Sequence, residues 1–250
     1  MTKLIDFFKG RAYLKSKECS KKLDAISNKI DRLIGNDNAK KYFSQHGEDI
    51  IIKNIFYALK IDKPTYLDIG CNWPFENSNT ALLYLNGSEG WAIDANPNFC
   101  DVWRGQRPQT QFINLGVGAA EDYLDFYLDD PYSAISTFSK ELADKTFSEN
   151  LGESIKVKVV TIDTILKMIG GIWPNFISVD IEGFDADVLE SMPFTETNRP
   201  DVICIENDKG DTSGSKINFL LKEKGYLPAF QTQGNVIAVH NSHKSLIFWG

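Results

Sequence analysis

The stretch 66–80 constrains the fold more than any other part of the chain. It begins with a short apolar segment, Tyr66–Ile69, continues through Gly70 into a polar turn, and leads to a second apolar segment, Ala81–Leu85. A strand, a glycine turn and a helix in this order form the ligand site of an open α/β sheet. Glycine suits the turn because backbone without a Cβ can approach a ligand closely. We therefore predict a binding site here; the alternative is an ordinary βα unit in which Gly70 only turns the chain.

The next predicted strand, residues 91–94, ends in an acid that suits a ribose. Asp94 follows Asp68 by about 25 residues, as in α/β folds that bind a ribose through a carboxylate. The turn after Asp68 has one glycine and lacks the G-x-G-x-x-G pattern that holds a pyrophosphate. This argues against an NAD-dependent oxidoreductase. A ligand with a ribose and no phosphate fits better, and S-adenosylmethionine is the evident candidate.

The composition indicates a globular protein. Of the 250 residues, 42% are hydrophobic and 12% aromatic, which suffices for a core and argues against disorder. A net charge of −7 argues against a surface that binds the phosphate backbone of nucleic acid, so nucleic acid is not an expected partner. The scattered cysteines form no C-x-x-C pair, which predicts reduced thiols in a cytoplasmic protein. We expect neither a transmembrane segment nor secretion, because no apolar run or signal core of sufficient length is present.

The N-terminal segment 1–38 differs from the rest. It is rich in lysine, contains no proline, and carries apolar residues at helical spacing from Leu23 to Leu33. We predict a helical appendage that docks on the following domain, 39–250, or pairs with another subunit to give a homo-oligomer. Contact of its apolar residues with an acidic membrane surface is an alternative.

A polar cluster precedes the first predicted helix of the domain, residues 49–59. One interpretation is that Gln45, His46 and Glu48 form a lid over the cofactor pocket. The other is that Ser44 and Glu48 cap the helix by accepting hydrogen bonds from its first free N–H groups. The sequence favours neither interpretation over the other.

The remaining segments alternate between strands and helices. Further strands are predicted at residues 111–118, 123–128, 133–138, 155–162, 176–180, 201–207, 225–226 and 235–240. Further helices are predicted to begin at 96–97 and to span 163–169, 184–192 and 216–224. This order predicts an α/β fold with a mainly parallel, doubly wound sheet and an antiparallel closing strand.

Three predicted strands end in acidic residues, Asp94, Asp180 and Glu206, and Asn207 follows the last of them. Because parallel strand ends share one edge of a sheet, we expect these side chains in one cleft. Like charges there need a cation, a proton or a hydroxyl-rich ligand. Asp180, Glu206 and Asn207 are therefore candidate ligands of Mg²⁺ or another divalent cation, or a source of a general base. The alternative for Asp180, together with Glu182, is capping of the next helix.

Five short segments carry a resemblance to a known family: 44–49, 72–80, 94–97, 178–183 and 205–206. Their order and spacing resemble the FkbM family of S-adenosylmethionine-dependent methyltransferases, over residues 42–239. The resemblance implies the seven-stranded, Rossmann-like class I methyltransferase fold. It also implies O-methylation of a hydroxyl on a sugar or glycan, such as a surface polysaccharide or its precursor. Methylation of another small secondary metabolite and a non-catalytic module that keeps the fold are alternatives.

The resemblance assigns roles to the matching residues. The implied cofactor contacts are Asp68, Gly70 and Asn72 at the methionine end, Asn79 and Thr80 supporting that turn, Asp94 and Ala95 at the ribose, Gly116 and Val117 at the adenine, and Gln45 and Glu48 in the lid. The reaction also needs a base for the hydroxyl proton, and the candidates, which come from the residues and not from the resemblance, are Asp180, His46 and His240. A divalent metal would bind Asp180, Glu206 and Asn207, although Asn207 departs from a strictly acidic set.

Overall fold

The computed structural model describes residues 42–133, 136–147, 154–181, 183–207 and 213–247. All of them belong to the second of the two units into which the chain divides, Tyr42–Gly250. The helical appendage predicted for residues 1–38 lies outside the described residues, and the domain boundary at residue 39 stays a prediction.

The described part of the chain alternates between strands and helices. Its strands are β1 (Tyr66–Ile69), β2 (Gly90–Asp94), β3 (Thr110–Asn114), β4 (Gly116–Val117), β5 (Asp122–Leu128), β6 (Ser136–Thr137), β7 (Ser154–Val160), β8 (Phe176–Val179), β9 (Val202–Glu206), β10 (Tyr226–Gln231) and β11 (Asn235–His240). Its helices are α1 (Glu48–Leu59), α2 (Ala81–Leu85), α3 (Phe99–Gln106), α4 (Lys140–Thr146), α5 (Ile162–Met168), α6 (Asp185–Ser191), α7 (Ser213–Glu223) and α8 (Lys244–Ile247), the last after a 3₁₀ turn at Asn241–His243. None of these helices is long and apolar enough to cross a membrane.

A seven-stranded sheet in the order β10-β11-β9-β8-β1-β2-β3 forms the centre of the unit. The strands β1, β2, β3, β8 and β9 run parallel, and β11 runs antiparallel to both of its neighbours. The fold is the Rossmann-like α/β fold of class I methyltransferases, which confirms the predicted fold class. The chain proceeds outward from β1 to β3 and then returns to β8 on the other side of β1. This reversal creates a crevice at the carboxyl ends of β1 and β8, where open α/β sheets bind their ligands.

Helices cover both faces of the central strands. Every residue of β1 and β8 is buried, as expected for parallel strands between two helical layers. One core cluster joins Leu67 of β1 to residues of α5, α6 and α7, including Leu221. On the other face, Phe56 of α1 meets Phe176 of β8 edge to face, with ring centroids 6.3 Å apart.

The third predicted strand, 111–118, is two strands in the structure. β3 belongs to the central sheet, whereas β4 belongs to a second sheet with the order β4-β7-β5-β6. The break falls at Leu115, whose N–H donates to the Ile113 carbonyl oxygen at 3.2 Å and so turns the chain. A side chain on Gly116 would collide with Phe138 and Val159, so only glycine lets these elements meet. The second sheet forms one wall of the crevice.

Candidate active site

A cavity of about 660 Å³ opens at the carboxyl ends of β1, β2, β8 and β9. The candidate residues that line it are Gln45, Asp68, Gly70, Asn72, Asn79, Asp94, Ala95, Gly116, Val117, Asp180 and Glu206. The structure therefore brings together residues from the segment before α1, from the ends of four parallel strands and from the second sheet. The candidates Thr80, Glu48, His46, Asn207 and His240 do not line this cavity.

Asp94 lies at the end of β2 with both carboxylate oxygens hydrogen-bonded. The backbone N–H of Asn72 donates to Oδ2 and that of Asn96 donates to Oδ1, each at 2.8 Å. A carboxylate has further lone pairs, so Asp94 can also accept hydroxyls from a ligand in the cavity. Burial raises the pKa of Asp94 to about 6, against the opposing effect of the two backbone hydrogen bonds. Asp94 is thus a hydrogen-bond acceptor whose carboxyl group loses its proton at a pH of about 6.

The turn after β1 has left-handed backbone at two positions. Gly70 has a φ of 76° and Asn72 a φ of 46°, a conformation that asparagine tolerates better than most residues. The N–H groups of Gly70 and Cys71 both donate to the carbonyl oxygen of Ile93, at 2.9 and 3.1 Å. The turn is thereby fastened to β2, and the N–H of Asn72 points at the carboxylate of Asp94.

Asp68 is buried at the base of the cavity. It is 5% exposed, and its Oδ2 accepts a 2.5 Å hydrogen bond from the hydroxyl of Thr80. Burial raises the pKa of Asp68, while the Thr80 hydrogen bond and the positive charge of Arg107 oppose that rise. Thr80 therefore lies behind the turn and contacts Asp68 rather than the cavity.

Glu48 holds two elements together from behind the cavity. Its side chain is fully buried, and Oε1 accepts from Thr232 Oγ1 at 2.5 Å and from Asn235 Nδ2 at 3.1 Å. Its Oε2 accepts from the backbone N–H of His46 at 2.8 Å. Burial raises the pKa of Glu48, but these hydrogen bonds outweigh burial and leave the pKa below its ordinary value. Glu48 thus joins the start of α1 to the β10–β11 turn.

The lid and capping interpretations each account for part of this segment. Gln45 lines the cavity, whereas His46 lies outside it with Nδ1 3.7 Å from Glu48 Oε1. Ser44 Oγ accepts from the N–H of Asp49 at 3.3 Å and donates to Asp49 Oδ1 at 2.8 Å. Ser44 therefore satisfies an N–H of the first helical turn, and of the proposed lid residues Gln45 alone reaches the cavity.

The position of His240 corrects its predicted role as a base. β11 is antiparallel to β9, and Asn235 at its start pairs with Glu206 at the cavity. His240 at its end therefore lies at the opposite edge of the sheet, where it lines a separate depression with Arg199 and Lys224. Burial lowers the pKa of His240 there. His240 is the last residue of the predicted strand 235–240, and the antiparallel direction of that strand, which was also predicted, carries His240 away from the site.

Two of the three predicted metal ligands line the cavity. Asp180 and Glu206 line the cavity, whereas Asn207 is buried beside it with its backbone N–H donating to Gly234 O at 2.7 Å. Within the described ranges, no three His, Cys, Asp or Glu side chains are arranged to hold a metal ion. Binding of a divalent cation by Asp180, Glu206 and Asn207 stays a prediction.

Three aromatic side chains form one wall of the cavity. The ring centroid of Trp73 lies 5.4 Å from that of Phe99 and 5.8 Å from that of Tyr132. Trp73 Nε1 also donates to the carbonyl oxygen of Tyr132 at 3.3 Å. The wall joins the β1 turn, the start of α3 and the loop after β5, so it offers flat apolar surface to a ligand.

The charged residues lining the cavity that the structure describes are all acidic. They are Asp68, Glu76, Asp94, Asp130, Asp180 and Glu206. Such a lining attracts cations and accepts hydrogen bonds from hydroxyl groups, and it disfavours phosphates.

Sequence patterns did not reveal Arg107, Asn235 or Phe99. Arg107 is fully buried and bonds to the segment behind the β1 turn. Asn235 lines the cavity through the antiparallel closing strand, and Phe99 lines it from α3. An arginine at the end of a helix ordinarily indicates a solvated cation near the helix C-terminus, so no pattern marked Arg107 as buried.

The order of the sheet and the crevice at its strand ends are those of the class I methyltransferase fold. The family model for the Methyltransferase FkbM domain matches residues 68–228, and the chain belongs to this family. A comparison with curated protein sequences gives no significant match.

The solved structures to which the chain is similar include two methyltransferases. A TehB-like S-adenosylmethionine-dependent methyltransferase from Corynebacterium glutamicum is 12% identical with a TM-score of 0.40, covering 89% of this chain and 97% of its own. A Burkholderia thailandensis 1,6-didemethyltoxoflavin-N1-methyltransferase is 11% identical with a TM-score of 0.39, covering 88% and 86%. The structure of the latter contains 1,6-didemethyltoxoflavin and S-adenosylhomocysteine.

Proposed function

We propose that this methyltransferase transfers the methyl group of S-adenosylmethionine to a hydroxyl of a sugar or glycan. One observation carries the proposal: a single cavity holds Asp94, a ribose acceptor, and also Asp180, a carboxylate that can take a hydroxyl proton. Donor and acceptor can therefore meet in the same space.

The donor would lie across the ends of β1 and β2. Its ribose hydroxyls would donate to Asp94, whose backbone hydrogen bonds hold the carboxylate in place. The methionine end would lie along the turn at Gly70 and Asn72, both of which line the cavity. The adenine would lie beside Gly116 and Val117, which line the cavity from β4.

The acceptor would lie over the ends of β8 and β9. Asp180 and Glu206 face this part of the cavity together with Asn235 of β11. Carboxylates accept hydrogen bonds from hydroxyl groups, and amides both accept hydrogen bonds from them and donate to them. Such a set of groups suits a neutral, hydroxyl-rich molecule. The aromatic wall that contains Trp73 and Tyr132 offers a face on which a sugar ring can pack. The same wall also suits a planar secondary metabolite, which is the alternative acceptor.

The reaction needs positioning and one proton acceptor. The acceptor hydroxyl oxygen forms a bond to the methyl carbon while the carbon–sulfur bond breaks, and its electron pair stays on sulfur as S-adenosylhomocysteine. The hydroxyl proton passes to the carboxylate of Asp180. Because the sulfonium is already a good leaving group, alignment of oxygen, carbon and sulfur supplies most of the acceleration.

We further propose that the protein is cytoplasmic and forms homo-oligomers through residues 1–38. Cys71, Cys100 and Cys204 are free thiols, which supports a reducing compartment. The oligomer proposal rests on the sequence pattern alone. Light scattering of the full chain and of a chain lacking residues 1–38 tests it.

Two measurements test the proposed function. Calorimetric titration with S-adenosylhomocysteine should detect binding, and Asp94→Ala should weaken it by about tenfold or more, the effect of losing charged hydrogen bonds to the ribose. Incubation with labelled S-adenosylmethionine and a panel of neutral glycosides should then transfer label to a hydroxyl oxygen. Unchanged affinity in Asp94→Ala would contradict the assigned pocket. Binding without transfer to any hydroxyl acceptor would favour the non-catalytic alternative.

A further inference from the structure

Arg107 is a buried cation directly behind the turn that follows β1. It ends α3, and its side chain is 0% exposed. Nη1 donates to Thr80 Oγ1 at 2.9 Å, and Nη2 donates to Ser78 Oγ at 2.9 Å and to the carbonyl oxygen of Pro74. One guanidinium thus binds three points of the segment 74–80.

The hydroxyl of Thr80 connects this cation to Asp68. Thr80 Oγ1 accepts from Arg107 and donates to Asp68 Oδ2 at 2.5 Å. Because both ends of this connection are buried, the attraction between the two charges is screened much less than it would be at the surface. The ion pair acts across one hydroxyl group and ends at a carboxylate that lines the cavity.

Aromatic rings surround the rest of the guanidinium. Its central carbon lies 4.7 Å from the ring centroid of Trp103, 5.0 Å from that of Phe75 and 5.4 Å from that of Tyr84. Cation–π contact stabilises a desolvated arginine. Burial lowers the pKa of Arg107 and Asp68 raises it, and an arginine stays protonated in either case. The guanidinium therefore keeps its positive charge although it is buried.

We propose that Arg107 is a positioning residue of the methyl-donor site, which holds the Asp68 carboxylate through Thr80 and fixes the segment 74–80. The proposal rests on the proposed function, because it concerns the cavity that would hold the donor. The ammonium group of S-adenosylhomocysteine and the sulfonium of S-adenosylmethionine are positive, so we expect both to bind better when Asp68 carries its negative charge.

Other titratable groups near Asp68 define the pH window of a test. Burial raises the pKa values of Tyr66, Cys71 and Cys204, so these three stay neutral below about pH 9. Asp94 titrates near 6 and is ionised above about pH 7. Between these limits Asp68 is the group near the donor whose charge depends on Arg107.

The test is calorimetric titration of S-adenosylhomocysteine into the full chain from about pH 7 to about pH 9. Burial raises the pKa of Asp68 and Arg107 opposes that rise, so removal of the Arg107 charge raises this pKa further. Arg107→Met should therefore bind more weakly than wild type, and its affinity should rise with pH over a higher pH range than that of wild type. Arg107→Lys, which keeps the charge, should keep the wild-type pH profile.

Arg104→Met is the matched control. Arg104 lies one turn earlier on α3, its side chain is 77% exposed, and it pairs with Asp101 at the surface. This variant should bind and titrate as wild type does.

Two results would overturn the proposal. One is an Arg107→Met chain with wild-type affinity and pH profile; the other is a loss that is equal at every pH and equal in Arg107→Lys, which is a purely structural effect. If Arg107→Met does not fold, Thr80→Val breaks the same connection and decides by the same pH profile.

A wild-type chain that binds no S-adenosylhomocysteine contradicts the proposed function instead. The proposal about Arg107 is then tested without a ligand, by following the carboxyl carbon of Asp68 by NMR as the pH changes. If Arg107→Met or Thr80→Val has the same titration midpoint as wild type, the proposal is overturned.

Discussion

Gly70, at the end of β1, lies against the backbone carbonyl oxygen of Asp180, at the end of β8. A β-carbon on Gly70 would overlap that oxygen, so the two strand ends meet this closely only because position 70 has no side chain. β1 and β8 pair in parallel, with Ile69 opposite Val179. The contact therefore lies at the point where the proposed donor and acceptor sites adjoin.

We predict that Gly70→Ala lowers the free energy of unfolding by about 2–5 kcal/mol and abolishes donor binding. The left-handed φ of 76° accounts for about 1–2 kcal/mol, and displacement of the Asp180 backbone accounts for the rest. Gly170→Ala is the matched control, because Gly170 has a φ of 103° and nothing within 4 Å of an added Cβ. Denaturant unfolding compares the two. Equal losses in both variants would show that the contact with Asp180 has no effect.

Donor affinity should depend on pH through Asp94. Because the pKa of Asp94 is about 6 in the empty site and the ionised form accepts the ribose hydroxyls, binding favours deprotonation. The affinity for S-adenosylhomocysteine should thus fall about tenfold for each pH unit below about 6, and should be flat in Asp94→Asn. Titrations across that range check this. Asp101→Asn, an exposed change on α3, should keep the wild-type slope.

Glu48→Gln should destabilise the protein by about 1–3 kcal/mol at neutral pH, because a buried acceptor of three hydrogen bonds is altered. The pKa of Glu48 is lowered by folding, so its stabilisation is present above its ordinary pKa and is lost as the pH falls through the lowered value. The difference in unfolding free energy between wild type and Glu48→Gln should shrink in acid accordingly. Glu89→Gln, at an exposed position, should change stability by less than about 0.5 kcal/mol.

Asp180→Asn separates chemistry from binding. If Asp180 takes the hydroxyl proton, kcat should fall by about 10²–10⁴-fold, while the affinity for S-adenosylhomocysteine should change by less than about threefold. Steady-state kinetics with an identified acceptor, together with calorimetry, measure both quantities. Asp187→Asn on α6, which alters a surface pair with Lys216, serves as the control with unchanged kcat. A wild-type kcat in Asp180→Asn would exclude Asp180 as the base.

The sequence predicted the elements whose residues signal both their structure and their position. β1 and β2 are short apolar runs that end beside Asp68 and Asp94, and parallel strand ends share an edge of the sheet. This reasoning requires that strand direction be correct. It places Asp180, directly after the parallel strand β8, at the cavity, and applied to the antiparallel strand β11 it would have placed His240 at the opposite edge of the sheet.

Features set by contacts distant in sequence were not predictable. The separation of β3 from β4 depends on a local turn at Leu115 and on Phe138 packing against Gly116. The burial of Arg107 depends on three rings and a segment about 30 residues earlier, which no periodicity encodes. Such residues become visible only when the packing of the helices on the sheet is known.

A structure of the complex with S-adenosylhomocysteine tests the central claim most directly. The account predicts that both ribose hydroxyls lie within hydrogen-bond distance of the Asp94 carboxylate, about 2.5–3.2 Å, with the methionine portion along Gly70–Asn72 above Asp68. A nucleoside bound elsewhere, or one whose ribose does not reach Asp94, would contradict it.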